Sequence, residues 1–275
     1  MNEILDDGLI IPEVGAWSEE KYKHIMYYTG LFTKSMKNRW SKLVYIDLFS
    51  GAGLVKLRNS YKIIEAIPLR VLSLQDKYDL YIFSDIDSEK ISALDKRIKT
   101  RAHDNAVALV CDANKSIAPL REILPKPSKQ CTVLHFCLLD IYALSNFHFT
   151  TIKALESLCI DFFVLIPSFM DANRNFAQYI MPADNTVAKY LGNDKWRDDW
   201  MQQRGNKKFG NFIVDQFNKQ MTTLGYKHGE PTFIQSDIQN LPLYHLVLYS
   251  KNDLALKLWK QVKKYANPQT TFDFS

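Results

Sequence analysis

From Leu43 onward, short apolar runs alternate with longer stretches of mixed polarity. The runs "KLVYIDLF", "DLYIFSDI", "AVALVCD", "CTVLHFCLLDIY" and "DFFVLIP" are rich in β-branched and aromatic residues. Few of their positions are polar, as in strands buried on both faces. Between them, "PLRVLSLQDKY", "EKISALDKRIKTR", "NKSIAPLREIL" and "FTTIKALESL" predict helices. Pro68 is tolerated in a first helical turn, and Asp87 or Ser88 can cap the helix after the second strand. Such alternation predicts parallel strands joined by helices, hence an open, doubly wound α/β sheet.

The flanks follow different patterns. "GAWSEEKYKHIMYYTGLFTKSMKNRW" predicts an opening helix, with Ser18 as its cap, Glu19 and Glu20 in the first turn and basic residues near its end. Residues Met170–Lys208 break the rhythm and predict an inserted lobe or lid, polar and aromatic, around "NDKWRDDWMQQRGNKKFG". Then "NFIVDQFNKQMTTLGY" predicts a helix with Gly225 as its C-cap. "PTFIQSDI" and "LYHLVLYSK" predict a closing antiparallel pair before a last helix, "LALKLWKQVKKY". The expected organisation is one domain: a helical opening over 1–42, a ligand-binding core over 43–169, the lobe over 170–208 and the closing elements over 209–275.

Composition adds mostly exclusions. At 275 residues, 47% hydrophobic and 24% charged, the chain suits a single soluble domain with a sizeable core. No apolar run is long enough to span a bilayer, and "MNEILDDGLI" lacks the basic-then-apolar order of a secretory signal, so a cytoplasmic location is expected. Cys111, Cys131, Cys137 and Cys159 form no CxxC pair and are expected to be buried free thiols rather than disulfides or metal ligands. The histidines show no metal-ligand spacing, so no metal is expected. A net charge of +5 leans only mildly toward anionic partners.

The chemistry concentrates at strand ends. In "VYIDLFSGAGLV", an apolar run stops at Asp47 and breaks into Phe49-Ser50-Gly51-Ala52-Gly53, a turn that lets the chain approach a ligand closely. Later strands end in Asp85, Asp112 and Asp140. Ligands of open α/β sheets bind at the carboxyl ends of strands, so these acids face the expected site. A phosphate site would want lysine and a helix N-terminus without an acid, and neither the phosphate-loop nor the full dinucleotide pattern follows. The acids suit S-adenosylmethionine instead, a cation without phosphate. Asp47 suits its ammonium group, Asp85 its ribose hydroxyls, with Ile86 beside them, and Asp112 its adenine amine, with Ala113 alongside.

Together these segments resemble the three-Cys-motif partner family. The resemblance runs through nearly the whole chain, in order: "VGAWSEEKYKHIMYYTGLFTKSM", "YIDLFSGAG", "FSDID", "CDANKSI", "LLDIYAL", "YLGNDKW" and "YSKNDLALKLW". It implies a Rossmann-like class I methyltransferase sheet, mostly parallel with a terminal antiparallel pair, using S-adenosylmethionine. It also implies a genetically associated partner protein that carries the three cysteines. Where the family usually has Asp-Pro-Tyr-Gly, this chain has Asp140-Ile141-Tyr142-Ala143, and Glu65-Ala66 replaces a small residue-proline pair.

"DLFSGAG" also opens cytosine-C5 DNA methyltransferases, but these need a Pro-Cys nucleophile that this chain lacks. Amino-group methylation of a nucleic acid fits better. Asp140 would hold the amine and Tyr142 would stack on an extruded base. The interleaved Lys195, Trp196, Arg197, Trp200, Arg204, Lys207, Lys208 and Phe209 suit nucleic-acid contact, or the tryptophans anchor the lobe to the core. A second reading stays open: a methyltransferase fold that serves as a binding partner of another enzyme.

Overall fold

A computed structural model describes residues 4–236 and 241–266. The expected runs form β1 (Lys42–Asp47), β2 (Leu80–Asp85), β3 (Ala106–Val110), β4 (Val133–Asp140) and β5 (Ile160–Ile166). These pair in parallel. The closing pair is β6 (Thr232–Gln235) and β7 (Pro242–Ser250). Residues 237 and 238 of "PTFIQSDI" lie outside the described residues. The sheet order is β3-β2-β1-β4-β5-β7-β6, with β7 antiparallel to both neighbours. This is a mainly parallel α/β sheet with helices on both faces, in which the last strand inserts antiparallel beside the fifth.

Side-chain alternation divides the core into two layers. Val44, Ile46, Cys137, Leu139, Phe162 and Val164 share one core. It contains residues of α4 (Ile117–Ile123), α5 (Phe149–Leu155), α7 (Thr186–Leu191), α8 (Trp196–Gln203) and α9 (Phe209–Thr223). Leu43, Tyr45, Phe136, Leu138, Phe163 and Leu165 share the other. That layer contains residues of α1 (Trp17–Met36), α2 (Ile67–Leu72), α3 (Ser88–Thr100) and α10 (Asp253–Ala266). The short α6 (Phe176–Tyr179) precedes α7. Asp87 caps α3 by accepting from the backbone N–H groups of Glu89 and Lys90, as its sequence position predicts. Gly225 follows α9 with φ +79°, the left-handed conformation a helix end wants.

Three expectations need correction. Ser18 does not cap α1: Ala16 holds the N-cap position, and Ser18 lies inside the helix, buried. A strand pair was not foreseen between β1 and α2. Leu54–Leu57 and Ile63–Glu65 form an antiparallel hairpin, extended by Glu13–Val14. Its turn lacks the Asn-Gly or Asp-Gly signal of tight hairpins, which hid it. Of the cysteines only Cys137 is buried; Cys111 and Cys131 are half-buried, Cys159 is exposed, and all four are free. Of the two readings of the 170–208 segment, core anchoring is the one the structure has: Trp196, Trp200 and the adjacent Phe209 are 0%, 5% and 4% exposed and belong to the core. Their basic neighbour Arg197 donates to the carbonyls of Tyr179, Met181 and Asp184, so its guanidinium serves the local fold.

Candidate functional site

A cleft of about 480 Å³ opens at the carboxyl ends of β1, β2, β3 and β4, and α1 and the hairpin contribute to its wall. Its lining includes Phe49, Ser50, Gly51, Ala52, Asp85, Ile86, Asp112, Ala113, Asp140 and Tyr142. The structure therefore brings together most of the residues singled out by sequence. Asp47 and Gly53 do not line it.

The glycine turn explains the division. Gly51 has φ +66° and Gly53 φ +86°. A Cβ at Gly53 would come within 2.9 Å of Leu94 and 3.1 Å of Leu69, whereas a Cβ at Gly51 would meet nothing within 4 Å. Gly53 thus serves packing beneath the turn, and Gly51 leaves open space in the cleft. Asp85 braces the turn from β2: one carboxylate oxygen accepts from the Gly51 N–H at 3.0 Å, the other from the Asp87 N–H at 3.0 Å. A carboxylate offers about four acceptor positions, so each oxygen keeps capacity for a ligand. Ile86, next to it, is 71% exposed and presents an apolar surface to the cleft.

Asp112 accepts from the Asn114 N–H at 2.9 Å and opens the short helical turn that carries Ala113. Asn114 then ties this loop to the one after β4, donating to the Asn146 carbonyl at 3.1 Å and accepting from the His148 N–H at 2.7 Å. Asp47 sits below, buried, accepting from the Phe49 N–H at 3.0 Å. Burial, and then the charges of Asp140 and Asp85, push its carboxyl well above the usual carboxylate range despite that hydrogen bond. Burial thus favours the neutral form of Asp47, which lies beneath the turn rather than on the cleft wall.

Asp140 has a partner that sequence reasoning missed. Lys21 Nζ lies 2.5 Å from Asp140 Oδ2, with side chains only 7% and 20% exposed. Burial works against the Lys21 ammonium, but the neighbouring Asp140 and Tyr22 outweigh it and raise its pKa. The ammonium also stands 5.2 Å from each of the Trp17 and Tyr22 rings. After Asp140 the chain buries Ile141 and turns Tyr142 outward, 64% exposed, its hydroxyl accepting from Asn146 Nδ2 at 3.3 Å.

Three polar atoms in this lining are buried and have no hydrogen-bond partner among the described residues: Ser18 Oγ, Ser50 Oγ and Asn146 Oδ1. Twelve other such atoms among the described residues lie outside this lining, but these three border an open cleft, where a polar ligand can complete their hydrogen bonding. The donor and acceptor set fits a cationic, hydroxyl-bearing ligand with an apolar ring. Trp17, Ser18, Lys21 and Tyr22 of α1, with Tyr244 of β7, complete the wall. One signal could have found Lys21: it falls on the helical stripe that continues through Ile25, Tyr28, Phe32 and Met36, and a lysine on an apolar stripe demands an acid. Among the described residues no group of three or more His, Cys, Asp or Glu side chains could hold a metal ion. No helix there is long and apolar enough to cross a membrane.

No family model matches this chain, and no curated protein matches it. Solved structures do. A Legionella pneumophila protein of the DUF519 family is 12% identical, with 90% of this chain and 93% of that one covered and a TM-score of 0.48. The magnesium protoporphyrin IX methyltransferase of Synechocystis PCC 6803, with bound S-adenosylmethionine, is 12% identical over 84% and 79%, with a TM-score of 0.41. The N-methyltransferase NodS of Bradyrhizobium japonicum, with bound S-adenosylhomocysteine, is 9% identical over 86% and 89%, with a TM-score of 0.42.

Proposed function

We propose that the cleft binds S-adenosylmethionine and that the chain is a methyltransferase acting on an amino group of a nucleic acid. The observation that carries the cofactor reading is the set of unpartnered buried oxygens, Ser18 Oγ, Ser50 Oγ and Asn146 Oδ1, in a cleft beside the open Gly51 turn. The remaining acceptor capacity of Asp85 serves ribose hydroxyls, Ile86 and Ala113 flank the adenine, and Asp112 accepts from its amine. An ammonium group above the turn would draw the buried Asp47 toward its ionised form. When bound, the cofactor supplies an electrophilic methyl group. This chain's own contribution is then positioning, with Asp140 accepting from the acceptor amine and Tyr142 stacking on its base.

The resemblance to the three-Cys-motif partner family supports this reading and adds a partner protein carrying that motif. A second reading, a cofactor-binding fold that serves another enzyme without transferring a methyl group, is favoured by one observation. Lys21 already neutralises Asp140.

Calorimetric titration with S-adenosylmethionine and S-adenosylhomocysteine tests the cofactor, and Asp85→Ala should weaken binding by about 1.5–3 kcal/mol without unfolding the chain. Absence of binding by folded wild-type protein refutes the proposal. Binding without transfer of labelled methyl to any DNA, RNA or protein fraction, alone or with the partner, selects the second reading.

A further inference from the structure

The hairpin between β1 and α2 has a feature that folding does not explain. Its turn places Tyr61 at φ +57°, a left-handed conformation that costs a bulky side chain and suits glycine or asparagine. The Tyr61 ring is nevertheless 67% exposed, so it repays that cost with little burial. Backbone bonds from Tyr61 N to the Leu57 carbonyl (2.8 Å) and from Leu57 N to the Lys62 carbonyl (2.9 Å) hold the turn without the ring's help.

Around the ring the hairpin is basic. Lys56 Nζ stands 5.1 Å from the Tyr61 centroid, Arg58 and Lys62 are exposed, and Arg58 lines the cleft together with Lys90 and Tyr142. Acids on and beside the hairpin are Glu65, paired with Arg101 at 2.7 Å, and Glu13, opposite Lys56 in strand register; Lys90 pairs with Asp87 at 3.3 Å, and Asp85, Asp112 and Asp140 lie deeper, in the cleft lining. An exposed aromatic face among cations, continuous with the cleft mouth, is the equipment for a strand whose bases are unstacked: the ring takes a base and the cations take phosphates. A duplex keeps its bases stacked and offers that ring nothing.

We infer that this hairpin is a binding finger for single-stranded nucleic acid, with Tyr61 stacking on a base beside the one delivered to the cleft. The inference rests on the nucleic-acid reading above and moves the contact surface away from the 170–208 segment, whose tryptophans are buried.

The test measures fluorescence anisotropy of short labelled RNA and DNA oligonucleotides, single-stranded and duplex, with cofactor calorimetry on every variant. Tyr61→Gly removes the ring and relieves the turn, so the variant folds; it should bind single strands about ten- to a hundred-fold more weakly. Tyr61→Phe should bind like wild type. The double variant Lys56→Ala/Lys62→Ala should lower the slope of log affinity against log salt by about 0.7 per lost contact. The RNA and DNA arms show which sugar is preferred, and each supports the inference if the ring matters. Wild-type binding that Tyr61→Gly leaves unchanged overturns the finger and spares the nucleic-acid reading. No binding of any oligonucleotide by wild type overturns both, and calorimetry then shows whether the cofactor reading stands.

Discussion

The Lys21–Asp140 pair offers the sharpest measurement, because it joins α1 to the end of β4 and lies in the proposed site. Lys21→Met keeps the stem among the Trp17 and Tyr22 rings but leaves the Asp140 carboxylate without its counter-charge. Asp140→Asn keeps the shape and one acceptor but leaves a lysine that is 7% exposed without an anion. Breaking a buried pair by removing one partner costs about 3–5 kcal/mol, because the other charge is stranded. Asp140 is 20% exposed to the cleft, and water there softens the loss, so Lys21→Met should cost about 2–3 kcal/mol. Asp140→Asn should cost about 3 kcal/mol, since Lys21 has less access to water. The double variant leaves no buried charge and should cost about 1 kcal/mol, a coupling of several kcal/mol. Urea unfolding at neutral pH measures all four corners. Additive single costs, with coupling below about 0.5 kcal/mol, would refute the buried-pair argument. Activity separates structure from chemistry: in the double variant stability should return while methyl transfer stays lost. Return of both would make Asp140 a structural residue and its proposed contact with the acceptor wrong.

Two further outcomes are expected. Asp161 is buried at the start of β5, and burial, opposed only by a hydrogen bond from Ser250, raises its pKa from 3.8 to about 7. The native state therefore holds this proton more tightly than the unfolded chain: the stabilisation is full below about pH 4 and is lost as pH rises through about 7. The stability difference between wild type and Asp161→Asn should shift by about 4 kcal/mol across that window, and parallel pH profiles would contradict it. Gly51→Val should cost about 1–2 kcal/mol in stability through its left-handed backbone, yet lose at least tenfold in cofactor affinity, because its side chain enters the cleft. Normal calorimetric binding by that variant would make the glycine turn purely structural.

The sheet was legible because its strands are buried on both faces and their hydrophobicity needs no partner to be seen. The acids at strand ends were legible for a related reason: an aspartate ending an apolar run in a parallel sheet has only the carboxyl edge to face. The hairpin was not legible. Its strands are short, and its turn depends on Tyr61 at φ +57°, a conformation that residue type argues against. The tryptophans of the 170–208 segment leave two readings open in sequence, because basic residues beside aromatic ones describe both a nucleic-acid surface and a core helix with a solvated face. Only burial distinguishes the two, and burial is a property of the whole fold.

Lys21 marks a different boundary. It is 119 residues from Asp140, and no local pattern connects them. Two constraints together would have done so. A lysine on the apolar stripe of α1 requires an anion, and the sheet order puts β4 beside β1, so that Asp140 is an available acid at the edge where α1 begins. Sequence supplied the unmatched charge and, separately, the unmatched acid; the topology makes them one pair. The same logic distinguishes Asp47 from Asp140. Both end strands, but Asp47 lies beneath the glycine turn and accepts from the Phe49 N–H, whereas Asp140 meets an ammonium at the cleft wall. A row of acids in sequence therefore becomes two kinds of residue in three dimensions: one buried below the turn and held toward its neutral form, the other reachable from the cleft.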